Sequence, residues 1–447
     1  MPSSAHARAV VSFRTMRPSQ KARISLGAAL LACAAPLTLL TTPAGAAPTP
    51  SATPPTVEEQ RLTGPVPQEI LRRGGFDDVA PAFGRALAAA RTPEQAGGLA
   101  VRDGRALWRR AVDRAQGRGP GPGRAGDLSR DDDRPLYWAR LGMTRALREW
   151  KPAFPLSGPQ RAALIAKVER SSRGQDSIDL PAGDRVKRVL VTGFDPFQLD
   201  ADARRSNPSG AAALALDGTT IDTPAGPARI ETAVFPVRWA DFADGTVERT
   251  LLPHFTPGPR RVDLFTTISQ GRPGRFDVER TNGAWRGGYP DNARVSRTET
   301  VPVPADVPTV RPQPQWTTTT LPYAALTAAG TGPYPVYDNT AVTEIPAGGT
   351  DPVERPDGPT PGSTAREGGG GDYLSNEIAY RATLLRDAVR LRVPGGHLHT
   401  PVLEFGAGNT DPATGRITDP GFVRNRVAIT GQVRSVLAVA VGAARRP

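Results

Sequence analysis

The chain has 447 residues, 38% of them hydrophobic, with 47 Gly, 47 Pro and a net charge of +12 carried almost wholly by Arg. That length allows two or three domains and a real core, while the Gly and Pro content predicts long irregular stretches around it. The single cysteine, Cys33, excludes an internal disulfide and a Cys-ligated metal site. The charge admits an acidic partner such as an anionic surface or cell-wall polymer. The Arg residues are scattered rather than striped, however, so the composition of a GC-rich genome explains most of it and no nucleic-acid partner is expected.

Arg14, Arg17, Lys21 and Arg23 precede an apolar run from Ile24 to Leu40, and Ala44-Gly45-Ala46 follows with small residues. This order predicts a signal peptide over residues 1–46 and a secreted or extracytoplasmic protein. Leu30-Leu31-Ala32-Cys33 is lipobox-like and leaves a surface anchor as the alternative. With cleavage after Ala46 the mature chain has no thiol.

Residues 47–185 read as a helical accessory region. Apolar residues recur at helical spacing over Ala80–Ala90, Leu107–Ala115 and Leu136–Trp150, with Trp138, Leu141, Met143 and Leu147 as a buried stripe. Gly117–Gly126 is a Gly/Pro/Arg linker. From Arg185 the texture changes. Val189-Leu190-Val191 fits a buried parallel strand, and Asn207-Pro208 caps and opens a helix. Strands are expected over Ile230–Val237 and Val262–Ile268, and helices over Trp239–Leu252 and Leu321–Ala329. Residues 282–320 and 340–371 read as insertions, the second as a structureless loop that is a lid or a block. A helix follows over Leu374–Leu391, with Ile378, Leu384, Leu385 and Val389 on one face. A strand near His399–Leu403 and a last helix over Val423–Val441 complete an α/β layered domain over 186–447.

His254, His397 and His399 are the only histidines of the mature chain, which narrows the choice of general base. His397 and His399 share one strand face. Packing alone explains a strand histidine, and His254 near a helix end is incidental. Ser375 begins a helix, where free N–H groups can hold an anionic oxygen; the plain alternative is a capping serine. Glu279, in Asp277-Val278-Glu279-Arg280, either orients a histidine or pairs with an arginine.

These pieces fall in an order that resembles pyroglutamyl peptidase I. Val191-Thr192-Gly193-Phe194-Asp195-Pro196-Phe197 resembles that family's opening strand and loop, and Ser206-Asn207-Pro208-Ser209 its Asn-Pro-Ser. Ser269-Gln270-Gly271 is similar to its Gln loop, and Val278-Glu279-Arg280 to its Glu-Arg pair. Asp372-Tyr373-Leu374-Ser375-Asn376 resembles the Tyr-Leu-Cys-Asn nucleophile segment, with serine in place of cysteine, and His399-Thr400-Pro401 its His-x-Pro. The resemblance implies a three-layer α/β/α sandwich with a mixed sheet, and removal of N-terminal pyroglutamate from a peptide without metal or cofactor. It assigns catalysis to Ser375, His399 and Glu279. It implies a neutral lactam pocket with Phe194 and Phe197 as walls and with Asn207 and Gln270 shaping it or bonding the ring. Homo-oligomers are common in that family. A hydroxyl depends on its base far more than a thiol does. Three readings therefore stand open: a serine-dependent peptidase, a pseudoenzyme that binds blocked peptide ends, and a basic surface or cell-wall binding protein.

Overall fold

In the sheet domain, alternate residues of one short apolar run face opposite layers. Val189 and Val191 point into one core and Leu190 into another, all at most 1% exposed. A strand buried on both faces needs helices on both faces. The computed structural model describes residues 53–119 and 128–444. The expected signal peptide and the Cys33 string lie outside the described residues, as does most of the Gly/Pro/Arg linker.

Seven strands form the central sheet: β1 (Lys187–Phe194), β2 (Thr219–Thr223), β3 (Gly226–Phe235), β4 (Leu264–Gln270), β5 (Phe276–Glu279), β6 (Val336–Asn339) and β7 (Gly395–Thr400). Their order is β6-β5-β7-β4-β1-β3-β2. β7, β4, β1 and β3 run parallel, β2 is antiparallel to β3, and β5 with its parallel neighbour β6 is antiparallel to β7. The sheet is mixed, as expected. β7 starts earlier than the sequence suggests and stops at Thr400, since Pro401 has no N–H for the ladder. Strands β2, β5 and β6 were not legible: each spans four or five residues, and β5 reads as a string of ion-pair neighbours.

Helices α6 (Pro208–Leu216) and α9 (Pro420–Ala443) cover one face, where Ala212, Leu216, Phe422, Ile429 and Val433 meet Val189 and Ile268. Helices α7 (Thr246–Phe255) and α8 (Leu374–Ala388) cover the other, through Val247, Leu251, Ile378, Ala382 and Leu385. The single helix expected over Trp239–Leu252 is two, Trp239–Ala243 and α7. Gly245 between them stands at φ 80°, a conformation that favours glycine and breaks the helix. Leu384 does not share a face with Leu385. It packs with Tyr380 against Ala284 and Val301, because segment 281–318 covers the side of α8 that faces away from the sheet. The 340–371 insertion is ordered rather than structureless. Strands Val342–Ile345, Val353–Arg355 and Thr364–Glu367 form a small antiparallel sheet. Buried Glu344 pins it, accepting from Thr360 N and Oγ1, each at 2.6 Å, and from Arg355 at 2.9 Å.

The N-terminal helices are α1 (Pro65–Gly74), α2 (Val79–Ala89), α3 (Pro93–Ala115), α4 (Arg134–Glu149) and α5 (Gly158–Ser171). The stripe of Trp138, Leu141, Met143 and Leu147 is buried in their core. That core continues into the sheet domain through Leu199, Ala213, Leu214 and Val234. Ion pairs join the same halves. Asp195, just after β1, is held by Arg173 at 2.8 Å and by Arg140, both guanidiniums being buried. Asp133 accepts from Asn207 N at 2.9 Å and from Ser206 Oγ.

Glu231 on β3 lies 4% exposed, close to Asp217. Burial first, and the charge of Asp217 second, push its carboxyl up to about 7. The native state then holds a proton that the unfolded chain has released, so this group's contribution to stability falls as pH rises from about 4.5 to about 7. Glu231→Gln should flatten that decline and stabilise the protein at pH 8 by roughly 1–2 kcal/mol, allowing for solvent screening. Urea unfolding of both proteins at pH 5 and pH 8 measures it; an equal slope in the two would refute the assignment.

Candidate functional site

The carboxyl ends of parallel strands are where open α/β sheets gather ligands. Here Phe194 ends β1, Ser269 and Gln270 end β4, and His399 is next to last in β7. His399 pairs with Ser269 across one ladder and with Asp277 across the other. Because β5 runs antiparallel to β7, Glu279 stands two residues along from the partner of His399, on the same face. Its Oε1 lies 2.7 Å from His399 Nδ1, with both groups buried. Neutral imidazole therefore donates from Nδ1, which leaves Nε2 as an acceptor.

The other oxygen of Glu279 is also held. Asn339, directly opposite it on β6, donates Nδ2 to Oε2 at 2.7 Å and to the Gly369 carbonyl at 2.9 Å. Gly369 and Gly370 form a strap over this pair. A Cβ on Gly369 would lie 2.2 Å from Glu279 Oε2, and one on Gly370 would lie 3.0 Å from His399 Cε1. A Cβ on Gly271 would lie 2.7 Å from His399 Cβ.

Ser375 is the second residue of α8, and Tyr373 stands at the cap position without a side-chain capping bond, its hydroxyl donating instead to the Pro290 carbonyl at 3.2 Å. Ser375 Oγ donates to the Gly370 carbonyl at 3.1 Å; it makes no hydrogen bond to His399. Asn376 beside it is fixed by Gly283, accepting from its N at 2.9 Å and donating to its carbonyl at 2.8 Å. Glu377 is clamped by Arg286 and Arg381 at 2.6 and 2.7 Å. Segment 281–287, which read as the start of a loop insertion, thus locks the first turn of α8. The N–H groups of Ser375 and Asn376 make no hydrogen bond among the described residues.

Ser375 opens on a small pocket of about 30 Å³. Its lining includes Phe194, Phe197, Asn207, Gln270 and Tyr373. The four residues that the sequence singled out for a substrate pocket therefore share one pocket with Ser375. Asn207 is anchored by its neighbours, with one Nδ2 proton left over. Its Nδ2 donates to the Asp195 carbonyl at 3.0 Å and its Oδ1 accepts from Ser209. The Gln270 side chain makes no hydrogen bond among the described residues and is free for a ligand. Sequence reasoning missed Asn339 and Tyr289, and read Tyr373 only as part of the nucleophile segment rather than as a pocket wall. Tyr289 is 47% exposed and contacts Tyr373 edge-on at 5.3 Å. His397, which the sequence placed on the strand face of His399, is bonded on both ring nitrogens, to Thr267 at 2.7 Å and Ser269 at 2.8 Å. His254 stands apart near the end of α7, where burial lowers its pKa.

With this geometry in hand, comparison with known proteins identifies the lineage. A family model described as the PA0049 N-terminal domain matches residues 41–169, and the PA0049 C-terminal domain matches residues 188–312 and 336–404. The uncharacterized protein PA0049 of Pseudomonas aeruginosa is 37% identical over 507 aligned positions, which cover 86% of this chain and 88% of that one. The chain belongs to the PA0049 family. Its C-terminal-domain match contains Glu279, Asn339, Ser375 and His399. Among solved structures it is similar to a mutant pyrrolidone carboxyl peptidase of Pyrococcus furiosus, at 21% identity over 57% of this chain and 97% of that one, with a TM-score of 0.36. It is also similar to pyroglutamyl peptidase I of Bacillus amyloliquefaciens, at 18% identity over 57% and 97%, with a TM-score of 0.38.

Within this PA0049-family site, Asn339 supplies the donor to Glu279 Oε2, while His399 bonds Oε1. Asn339→Ala should leave that oxygen buried without a partner and cost about 1–3 kcal/mol. It should also loosen the Nδ1–H tautomer of His399. Imidazole nitrogen resonances in a ¹⁵N-histidine sample report this directly: an unchanged His399 pattern would mean that Asn339 only braces the strap.

Proposed function

We propose that this protein is a serine-dependent hydrolase that removes N-terminal pyroglutamate from peptides, with Ser375 as nucleophile, His399 as base and Glu279 as the group that orients the base. The observation that carries the reading is the Glu279–His399 hydrogen bond of 2.7 Å, set behind a pocket that Ser375 shares with Phe194, Phe197, Asn207 and Gln270. Pyroglutamate is a neutral ring. It needs apolar walls and amide partners, and this lining offers both.

Ser375 turns from the Gly370 carbonyl toward His399 Nε2, gives up its proton there and attacks the carbonyl carbon of the pyroglutamyl amide. Glu279 holds the resulting imidazolium through Nδ1–H. The oxygen that gains charge faces the free N–H groups of Ser375 and Asn376 at the start of α8. The C–N bond then breaks, and the leaving amine takes the proton from His399. Water, deprotonated by the same imidazole, releases pyroglutamate from Ser375. The pocket as it stands has room for about one or two waters, so ring entry requires Phe197 and Tyr373, both partly exposed, to move apart.

A second reading is favoured by one observation, the bond that ties Ser375 Oγ to Gly370. In it the protein binds blocked peptide ends without cleaving them. The remaining alternative, contact with an anionic surface, would fall on a cleft of about 450 Å³ lined by Arg148, Arg161, Arg170, Arg173, Arg238 and Arg249. Arg173 and Arg238 are already paired there with internal carboxylates. The proposal includes export, on the strength of residues 1–46.

The test is cleavage of a pyroglutamyl fluorogenic amide by the chain purified from Ala47, beside Ser375→Ala and Ser375→Cys. The peptidase reading expects the parent to cleave and Ser375→Ala to lose on the order of 10³-fold or more. A silent parent with an active Ser375→Cys supports the binding-only reading. Silence in all three sinks the pyroglutamyl assignment.

A further inference from the structure

Away from Ser375, a cleft of about 450 Å³ lies between α5, the end of α4 and the start of α7. Arg161, Ala162, Ile165, Ala166, Glu169 and Arg170 line it, which is the spacing of one face of α5. The sheet domain contributes Arg238, Asp241, Asp244, Thr246 and Arg249.

Much of the charge in this cleft is matched inside the protein. Glu169 is bonded to Arg173 and to Arg238, the latter at 2.9 Å. Asp241 pairs with Arg238 at 2.7 Å, and Arg148 with Glu59 at 3.0 Å. Three guanidiniums in the lining, Arg161, Arg170 and Arg249, have no carboxylate partner among the described residues. The unmatched charges are thus three cations against one exposed carboxylate, Asp244. Arg161 is the informative one, being 4% exposed. Its Nη1 donates to the carbonyls of Leu147 and Trp150, the latter at 2.9 Å, and so caps the end of α4. Those bonds fix the plane of the guanidinium. Its Nε and Nη2 make no hydrogen bond among the described residues, yet neither is sealed from solvent. A nearly buried guanidinium with open donors on a cleft wall is one side of an anion site.

We propose that this cleft is a second binding site, which takes a phosphate group through Arg161, Arg170 and Arg249. The site is separate from the proposed peptidase pocket and stands without it. Arg161 and Arg170 belong to α5 and Arg249 to α7, so the donors come from two elements. A phosphate monoester has three free oxygens and can accept from several sides at once, whereas a carboxylate presents a single fork. Arg249 Nη1 is tied to the Asp244 carbonyl, which leaves its other donors open. The N–H groups of Thr246 and Val247, at the start of α7, make no hydrogen bond among the described residues and add partial positive charge.

Calorimetry of the chain from Ala47 with inorganic pyrophosphate tests this, with sedimentation on phosphatidylglycerol vesicles as a second arm. At about 0.15 M salt, pyrophosphate should bind with a Kd below about 1 mM. Arg170→Gln combined with Arg249→Gln changes two exposed side chains that no carboxylate holds, so the fold should survive. Binding should weaken at least about tenfold, the worth of one charged hydrogen bond. Arg85→Gln combined with Arg91→Gln removes the same charge at exposed positions outside the cleft and should leave binding unchanged. Pyrophosphate binding without vesicle retention makes the ligand a soluble phosphate ester. Vesicle retention that the cleft variant loses makes it a lipid headgroup. Binding of neither probe, a cleft variant that binds as the parent does, or a control variant that loses as much, overturns the proposal.

Discussion

Asp195 receives two buried guanidiniums, Arg140 from α4 and Arg173 from just beyond α5, at the place where β1 ends and the pocket begins. An ion pair without solvent contributes little net stability, yet removing one partner strands the other charge at a cost of about 3–5 kcal/mol. The pair is thus a constraint on arrangement more than a source of stability. Phe194 precedes Asp195, Phe197 follows two residues later, and the Asp195 carbonyl holds Asn207. Fixing this one carboxylate fixes two walls and the floor of the pocket. Arg238 repeats the device just beyond β3, reaching Glu58 and Glu169, each at 2.9 Å. The N-terminal helices are therefore part of the frame that shapes the site.

The same economy accounts for much of the basic composition. Arg134, Arg140, Arg173, Arg204, Arg286, Arg381 and Arg426 are each at most 1% exposed. Arg suits that role because its planar fork can satisfy a carboxylate and several carbonyls at once, with a weaker hydration shell to lose than an ammonium. Arg134 shows this: it pairs with Asp132 at 2.6 Å and donates to the Ile417 carbonyl at 2.7 Å, joining α4 to the approach to α9. Arginines used in this way are unavailable to an external polymer. Carboxylates are buried beside them, however, so their burial does not lower the net charge of +12 that the surface carries.

Legibility followed the range of the forces involved. Strand β1, the Asn207 cap and the helix at Ser375 could be read because each depends on neighbours within a few residues. The face shared by His397 and His399 could be read from strand alternation alone. The reversal of β5 could not, because a four-residue strand carries no signal of direction, and that reversal is what brings Glu279 to His399. Asn339 was hidden for the same reason, since its role exists only through the pairing of β6 with β5. The sequence marked the Gly368–Gly371 run as a feature but not its purpose. Only the folded chain shows that a Cβ at Gly369 or Gly370 would strike Glu279 or His399.

The bond between Ser375 and Gly370 decides how the serine should be regarded. A neutral hydrogen bond of this kind contributes about 0.5–1.5 kcal/mol net. Turning Ser375 away from it would therefore leave the attacking rotamer populated at roughly a tenth or more. That loss is small beside the 8–23 kcal/mol by which enzymes lower barriers, so the resting bond is no lock against catalysis. It does separate oxygen from sulfur. A thiol is a weak donor and would hold the Gly370 carbonyl poorly, whereas a hydroxyl is drawn to it until something better is offered. Serine at this position thus starts from a state engaged with the strap. On the proposed reading, freeing it falls to a ligand that brings His399 Nε2 and the free N–H groups of α8 into play together.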